Sequence, residues 1–282
     1  MSSTGLDQLL DRHPRPVALL HGALAPLTPV SLAGMAARDA ELLTRVDRKY
    51  LLPSELLPAL ISGLDERFDV LEIDGRRVSA YTSTYFDSPD LGCFHEHRQG
   101  RRGRFKVRTR TYLDSGDCWL EVKVKTAGGK TYKERRPYAA GDTRQLTVEG
   151  RKFVAEQLAE RNSCELDRLE PSLTVDYQRS TLVATDGKAR LTIDSGLTAT
   201  SLATSSLPTA GGARQVAASR RLLVVETKSA NGMHAADRTM RSLGVRPQSM
   251  SKYCLATAAL HPHLRPNPWF RAYRACFDSS QV

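Results

Sequence analysis

Basic side chains recur at every second position in three stretches of this chain. The first stretch, RFKVRTRTY, spaces Arg104, Lys106, Arg108 and Arg110 in this way. Because a β-strand sends alternate side chains to opposite faces, the spacing predicts a strand with a row of cations on one face. Cations this close repel one another unless an anion or water lies between them. The pattern therefore predicts a sheet whose charged face binds a polyanion.

The same alternation continues in the next two predicted strands. WLEVKVK places Lys123 and Lys125 on one face, and YKERRPY places Lys133 and Arg135 on one face. Two glycines lie between these stretches, at residues 127–129. Since glycine tolerates the positive φ of tight turns, we expect the two strands to form a β-hairpin.

Other predicted strands carry the same mixture of charges. Their charged residues are Arg45, Asp47 and Lys49, then Arg179, then Arg190 and Asp194, and finally Glu226 and Lys228. If these faces converge, they enclose many cations and a few carboxylates. Phosphoryl transfer needs such a set, because Arg and Lys neutralise phosphate oxygens while a carboxylate holds a divalent metal. For any single row the alternative is a solvated outer face, which is the usual place for Lys and Arg.

Composition narrows the choice of ligand. The formal net charge of +10 favours an anionic partner. No P-loop and no G-x-G-x-x-G pattern occurs, so neither of these nucleotide-binding motifs is expected. The five cysteines form no C-x-x-C pair, which argues against a zinc site, and their odd number fits a reducing cytoplasm. Single-stranded nucleic acid is the main rival ligand, but we expect few aromatic side chains on the cationic faces to stack bases.

The predicted elements suggest one principal domain. Helices are predicted at residues 31–43, 54–68, 143–161, 234–243 and 252–260, and strands from residue 44 and at 78–86, 104–113, 118–125, 130–138, 172–183, 189–194 and 221–228. About eight strands, mostly joined as antiparallel neighbours, predict an α+β fold. The specific expectation is an antiparallel eight-stranded barrel, a tunnel with helices packed outside.

The two ends of the chain differ from this central part. We expect a flexible N-terminal extension at 1–29, the tunnel domain at 30–260 with a flexible insertion at 195–220, and an irregular tail at 261–282. Residues 16–37 carry no charge, which raises the alternative of a secretion or membrane segment. Pro26 and Pro29 interrupt that stretch, so a cytoplasmic location is expected instead.

The order of the motifs points to a family. From the N-terminal side they are RVDRKYLL, TSTYFDSPDLGCF, VRTRTY, WLEVKVK, YKERRPY, VDYQRSTL, ARLTID, VVETKS and SMSKYCL. In this order they resemble the catalytic domain of the vacuolar transporter chaperone (VTC) polyphosphate polymerases. These enzymes are a branch of the triphosphate tunnel metalloenzymes, also called CYTH-like proteins. The resemblance covers residues 44–259.

The resemblance, together with the charge pattern, implies a set of site residues. It implies catalytic roles for Lys49, Arg108, Arg110, Lys123 and Glu226, and phosphate binding by Arg45, Lys125, Lys133, Arg135, Arg179, Arg190, Lys228 and Lys252. It also implies a divalent metal, Mn²⁺ or Mg²⁺, on Glu226, with Asp47 and Asp194 as further candidates. Hydrolytic relatives carry E-x-E-x-K in the opening strand. Here the first position is Arg45, which resembles the polymerase branch.

The activity implied is transfer of the γ-phosphoryl group of ATP to a polyphosphate chain. Two alternatives stay open at this point: a triphosphatase that uses the same site, and a polyphosphate-binding module without catalysis. The expected partners are ATP or another triphosphate, and polyphosphate, with no specific nucleic acid. A membrane-protein partner is also open, because the eukaryotic enzymes work inside a membrane complex.

Overall fold

The computed structural model describes residues 16–38, 45–126, 131–159, 166–202, 214–230 and 232–277. Its strands are β1 (Pro29–Val30), β2 (Val46–Pro53), β3 (Phe68–Leu71), β4 (Ser79–Asp87), β5 (Phe105–Tyr112), β6 (Cys118–Lys125), β7 (Thr131–Tyr138), β8 (Glu170–Ala184), β9 (Ala189–Ser201), β10 (Gln215–Ala217) and β11 (Leu222–Ser229).

The α-helices of the described ranges have seven to ten residues each. They are α1 (Pro16–Leu24), α2 (Leu32–Arg38), α3 (Leu57–Leu64), α4 (Gly92–Gln99), α5 (Val148–Gln157), α6 (Ala235–Ser242), α7 (Lys252–Leu260) and α8 (Phe270–Phe277). Across the described ranges, none of them is long and apolar enough to cross a membrane.

The strands form one large sheet, which is antiparallel apart from the parallel pair of β1 with β3. The hydrogen-bonded order is β2-β11-β9-β8-β4-β5-β6-β7. In the part of the chain that the structure describes, this path begins at β2 and ends at β7, so the sheet is not closed. The predicted α+β class is confirmed. The predicted eight-stranded barrel is not confirmed, because closure requires hydrogen bonds between the first and last strands.

The chain divides into two compact units. Unit 1 comprises Met1–Ser79, Gln178–Gly196 and Ser219–Gln248, and unit 2 comprises Ala80–Tyr177, Leu197–Ala218 and Ser249–Val282. Strands β8 and β9 contribute residues to both.

Unit 1 has its core on one face of β2 and β11. Tyr50 and Leu52 of β2 and Leu223 and Val225 of β11 lie at alternate positions of their strands and are buried in one apolar cluster. Helix α3 buries four apolar side chains in the same cluster, among them Leu60. Because alternate side chains of a strand face opposite ways, Asp47 and Lys49 of β2 and Glu226 and Lys228 of β11 lie on the other face.

Unit 2 follows the same rule on β5 and β6. Phe105 and Val107 of β5 and Val122 of β6 are buried, and charged residues occupy the neighbouring positions of both strands. Helix α5 packs near β6 and buries Phe153 and Val154. The apolar face of each strand thus packs in the core, and the charged face remains available for other contacts.

Several predicted boundaries agree closely with the structure. Strand 118–125 and helix 252–260 have the predicted bounds. The predicted hairpin strands pair as β6 and β7, although the turn at 127–130 lies outside the described residues. Helix 143–161 is shorter than predicted, since it begins at Val148, after the N-cap Thr147, and ends at Gln157.

Other elements were not predicted from the sequence. Strand β9 continues to Ser201 and pairs with the short strand β10, so both ends of the stretch at 195–220 contribute to the sheet. Residues 203–213 lie outside the described residues, and the domain bounds stay a prediction. Helices α1, α4 and α8 and strand β3 were also not predicted, because their sequences lack a clear period.

Candidate functional site

Two rows of charged residues cross β5, β6 and β7 on one face of unit 2. The lysine row is Lys106, Lys123 and Lys133, and the arginine row is Arg108, Glu121 and Arg135. Residues directly opposite each other in antiparallel strands share a face, with Cβ atoms about 5 Å apart. The register therefore brings together the cations that the sequence placed on these three strands.

Glu121 is the centre of this face. Its side chain is 2% exposed. Arg108 donates to Oε2 of Glu121 from Nε at 2.8 Å and from Nη2 at 2.6 Å, and Lys133 donates from Nζ to Oε1 at 2.7 Å. Nη1 of Arg110 lies 4.0 Å from the same Oε1. One buried carboxylate thus holds cations from both neighbouring strands, a role that the sequence did not reveal.

These contacts shift the pKa values of the groups. Burial by itself raises the pKa of Glu121, but Arg108 and Arg110 lower it well below its ordinary range. Burial lowers the pKa of Lys133 to about 8; Arg108 and Arg110 act in the same direction, and Glu121 acts against it. Near neutral pH Glu121 is ionised and Lys133 is still mostly protonated.

Arg108 keeps donors available despite these contacts. Its Nη1 donates to the hydroxyl of Tyr85 at 3.0 Å, in addition to the two bonds to Glu121. A guanidinium has five N–H donors, so two remain for another acceptor. Phosphate oxygens are suitable acceptors for such a pair. The sequence did not reveal the role of Tyr85, because that role depends on the register of β4 against β5.

Aromatic rings lie at one end of the same face. Tyr81 stacks on Tyr177 with a centroid distance of 5.4 Å. The guanidinium of Arg110 lies 5.9 Å from the Tyr81 ring, and that of Arg135 lies 4.5 Å from Trp119. The expectation of few aromatic residues on the cationic faces is therefore wrong. The rings come partly from β4 and β8, whose registers are not readable from the sequence.

Helix α7 brings Lys252 to this end of unit 2. Its Nζ lies 5.1 Å from the centroid of the Tyr177 ring. The next residue, Tyr253, donates from its hydroxyl to Asp87, and Asp87 also accepts from the backbone N–H of Cys93 at 2.7 Å. Burial raises the pKa of Asp87. The buried Asp87 therefore joins the start of α7 to the start of α4.

A second charged face lies on β2, β11 and β9 in unit 1, and we call it the Glu226 face. Two sets of residues are directly opposed across these strands: Lys49, Glu226 and Thr192 in one, and Asp47, Lys228 and Arg190 in the other. Each set shares one side of the sheet, opposite the apolar core of unit 1.

Glu226 is surrounded by cations. Nζ of Lys228 donates to its Oε1 at 2.9 Å, and both side chains are largely buried. Burial by itself raises the pKa of Glu226, but Lys228 and Lys49 lower it well below its ordinary value. Arg179 adds to this lowering. The carboxylate is ionised and paired with a lysine.

The two other carboxylates proposed as metal ligands also pair with cations. Asp194 accepts from Nε and Nη2 of Arg179 at 2.6 and 2.8 Å, and its side chain is fully buried. Asp47 accepts from Nε of Arg45 at 3.2 Å, near the exposed start of β2. Asp194 therefore forms a two-pronged ion pair with Arg179.

Asp237 of α6 supports the Glu226 face from behind. Its buried carboxylate accepts from the hydroxyls of Tyr50 at 2.8 Å, Thr227 at 2.6 Å and Ser229 at 3.0 Å. Burial by itself raises the pKa of Asp237, but these hydroxyl bonds leave it lower than its ordinary value. Tyr50 follows Lys49 on β2, and Thr227 lies between Glu226 and Lys228, so one carboxylate fixes both strands.

The residues of unit 1 offer a limited metal site. In the described part of the chain, no three His, Cys, Asp or Glu side chains come together as a metal site. Mg²⁺ often binds through one or two carboxylates, while phosphate oxygens and water complete its coordination. Glu226 by itself is sufficient for a metal site of this kind, in which phosphate oxygens of the substrate supply most of the ligands.

A cavity elsewhere in unit 1 is separate from these residues. It has a volume of about 540 Å³ and lies between α1 and α3. None of its lining residues belongs to the predicted site. The candidate residues therefore lie on one charged face in each unit. The prediction that all the cations line one cavity stays a prediction.

The chain matches one family model, described as "VTC domain", over residues 44–261. This chain belongs to the VTC domain family. The match spans the whole of the resemblance found from the motifs, residues 44–259, which is thereby confirmed. No curated protein matches the chain.

Solved structures similar to this VTC domain come from distant proteins. A Pyrococcus horikoshii protein is 12% identical, with a TM-score of 0.39, and the match covers 75% of this chain and 96% of that one. A proposed adenylate cyclase from Vibrio parahaemolyticus is 11% identical, with a TM-score of 0.40 and coverage of 74% and 94%. A proposed adenylyl cyclase from Hippeastrum, with a dominant triphosphatase activity, is 11% identical, with a TM-score of 0.46 and coverage of 79% and 99%. These values carry no argument about function.

Proposed function

We propose that this VTC domain is a metal-dependent polyphosphate polymerase that transfers the γ-phosphoryl group of ATP to a polyphosphate chain. Family membership and the two cationic faces support this proposal. Polyphosphate, a cytoplasmic location and a membrane-protein partner belong to the same proposal as predictions.

The observation that carries the proposal is the arrangement around Glu121. Arg108 and Lys133 are held by this buried carboxylate and still have donors to spare. A row of preformed cations can bind several phosphoryl groups without moving, which favours a triphosphate over a single phosphate. The lysine row beside it offers further positive charge to a longer chain.

The role proposed for each face follows from its side chains. Arg108 and Arg110, with Lys123 and Lys133, would bind and orient phosphoryl groups. Glu226 would hold Mg²⁺ or Mn²⁺ together with phosphate oxygens, and the metal would withdraw charge from the phosphoryl group when bound. Rate enhancement would come from positioning and charge stabilisation, with no covalent intermediate.

Unit 1 would supply further phosphate contacts. Lys49, Arg190 and Lys228 share the Glu226 face and would neutralise oxygens near the metal. Arg179 is engaged by Asp194, so its share of the binding would depend on the remaining guanidinium donors. For polymerase activity, the bound chain end must reach the γ-phosphoryl group before water does.

Product analysis tests the proposal. The full chain is incubated with ATP and Mn²⁺, with and without a short polyphosphate primer, and the products are separated by gel electrophoresis. We expect long polyphosphate and ADP. Free phosphate in place of polyphosphate would establish a triphosphatase, and ligand binding without any product would establish a binding module.

A further inference from the structure

Ser83 of β4 lies on the charged face of unit 2, and although it belongs to the motif TSTYFDSPDLGCF, no role was predicted for it. It is directly opposite Arg110 of β5. Two residues further along β4, Tyr85 is opposite Arg108, so both serine and tyrosine lie beside the phosphate-binding arginines. The Ser83 side chain is therefore part of the same surface as Arg110.

Both members of this pair have polar atoms without a partner. Ser83 is fully buried, and its hydroxyl has no hydrogen-bond partner in the described part of the chain. Arg110 is 9% exposed, and its Nε also lacks a partner among those residues. Buried polar groups are rarely left in this condition, because the loss of hydration is unfavourable. Ser83 and Arg110 are directly opposed across β4 and β5, so one acceptor between them would satisfy both groups.

The donors suit an anion. A serine hydroxyl can donate one hydrogen bond, and the guanidinium of Arg110 carries a full positive charge. The nearby carboxylate of Glu121 lies 4.0 Å from Nη1 of Arg110, beyond ordinary hydrogen-bond distance, so it does not use the Arg110 donors fully. An oxygen of a phosphoryl group would satisfy both the hydroxyl and the guanidinium.

We propose that Ser83 binds a phosphoryl group of the triphosphate jointly with Arg110. This inference rests on the proposed function, and it assigns a new contact within that site. Since Ser83 is fully buried, its contact with a phosphoryl group requires the side chains that cover it to move aside.

Substitution of one hydroxyl tests the contact. Ser83→Ala removes the donor and leaves the strand intact. We expect the dissociation constant for inorganic tripolyphosphate, measured by titration calorimetry, to rise about tenfold, as for loss of a hydrogen bond to a charged group. The melting temperature should stay the same or rise, because the hydroxyl has no partner in the protein.

Ser172 provides a matched control. It is another buried serine of unit 2 whose hydroxyl has no partner among the described residues. It lies five positions before Tyr177 on β8, so alternation places it on the other face. Ser172→Ala should leave tripolyphosphate binding unchanged. Equal weakening by both substitutions, or unchanged binding in Ser83→Ala, would overturn the proposal.

A double-mutant cycle tests whether the two residues share one phosphoryl group. If Ser83 and Arg110 bind the same group, Ser83→Ala combined with Arg110→Lys should weaken binding by less than the product of the single effects. Independent effects would reject the shared contact. If the unaltered protein binds no tripolyphosphate at all, the proposed function itself fails, and this outcome is distinct from failure at Ser83.

Discussion

Arg108 and Glu121 are opposed across β5 and β6, and two nitrogens of the arginine donate to a single oxygen of the glutamate, at 2.8 and 2.6 Å. The other carboxylate oxygen accepts from Lys133. Glu121 thus supplies negative charge to a surface otherwise made of cations. Four predictions concern Glu121, its partner Lys133, and Glu226 and Asp237 of unit 1.

Glu121→Gln should destabilise the protein in the absence of ligand. The substitution leaves Arg108 and Lys133 without their counter-ion, and breaking a buried ion pair on one side is costly. Because Lys133 is 39% exposed, we expect a loss of only about 2 kcal/mol in the free energy of unfolding, below the full cost of a buried pair. Urea denaturation measures the loss.

Added tripolyphosphate should recover more stability in the Glu121→Gln variant than in the unaltered protein, since the ligand replaces the missing negative charge. Glu134→Gln is the control, because Glu134 is opposite Val122 on the other face of β7. Equal stability of all three proteins without ligand would show that Glu121 does not hold the cations.

Tripolyphosphate binding should weaken as the pH rises through about 8. The pKa of Lys133 is about 8 in the free protein, so its ammonium is charged below that pH and neutral above it. Lys133→Arg should abolish this dependence, because a guanidinium stays charged. Calorimetric titrations between pH 7 and 9.5 measure the effect. A flat profile in the unaltered protein would mean that Lys133 does not contact the ligand.

Glu226→Gln should abolish most metal-dependent turnover while tripolyphosphate still binds. The amide keeps the size of the side chain but removes the charge that holds a divalent cation. We expect turnover with ATP and Mn²⁺ to fall by about a hundredfold or more. Glu72→Gln is a suitable control, because Glu72 pairs with Arg77 in the same unit. Near-normal turnover in Glu226→Gln would direct attention to Asp47 or Asp194.

Asp237→Ala should lower the free energy of unfolding at neutral pH by about 3 kcal/mol, because three buried hydroxyls lose their acceptor. The folded state lowers the pKa of Asp237, so its contribution is present above the unfolded pKa of about 4 and is lost as the pH falls through the folded pKa. The difference from the unaltered protein should therefore shrink at pH 3.

Urea denaturation at pH 7 and pH 3 measures this difference. Asp167→Ala replaces an exposed carboxylate of unit 2 and should change the stability by less than about 0.5 kcal/mol. An Asp237→Ala variant as stable as the unaltered protein at pH 7 would remove Asp237 from the support of β2 and β11.

The sequence predicted the charged strands well, because their pattern is local. Lys123 and Lys125 alternate with valines, so the spacing alone gave the strand and its charged face. Helix α7 was equally clear from the mostly apolar residues that follow Lys252. Motif order added the family, which composition and periodicity could not supply.

Contacts between distant parts of the chain were not predictable. Asp237 meets Tyr50 across 187 positions, and Asp87 meets Tyr253 across 166, with no spacing that links either pair. The partners of Glu121 depended on the register of three strands. Ser83 lies within the motif TSTYFDSPDLGCF, but the motif gave it no role, since a serine in a strand is ordinary until its neighbour across the sheet is known.

Asp237 holds β2 and β11 from the side that a ligand on Lys49 or Glu226 does not touch. Strand alignment and ligand chemistry are therefore assigned to different side chains. A substitution of Lys49 or Glu226 leaves in place the hydroxyl bonds that Asp237 accepts from β2 and β11, so ligand contacts can change while this support is kept. For protein engineers, the same separation marks Lys49 and Glu226 as positions to vary, provided that Asp237 is kept.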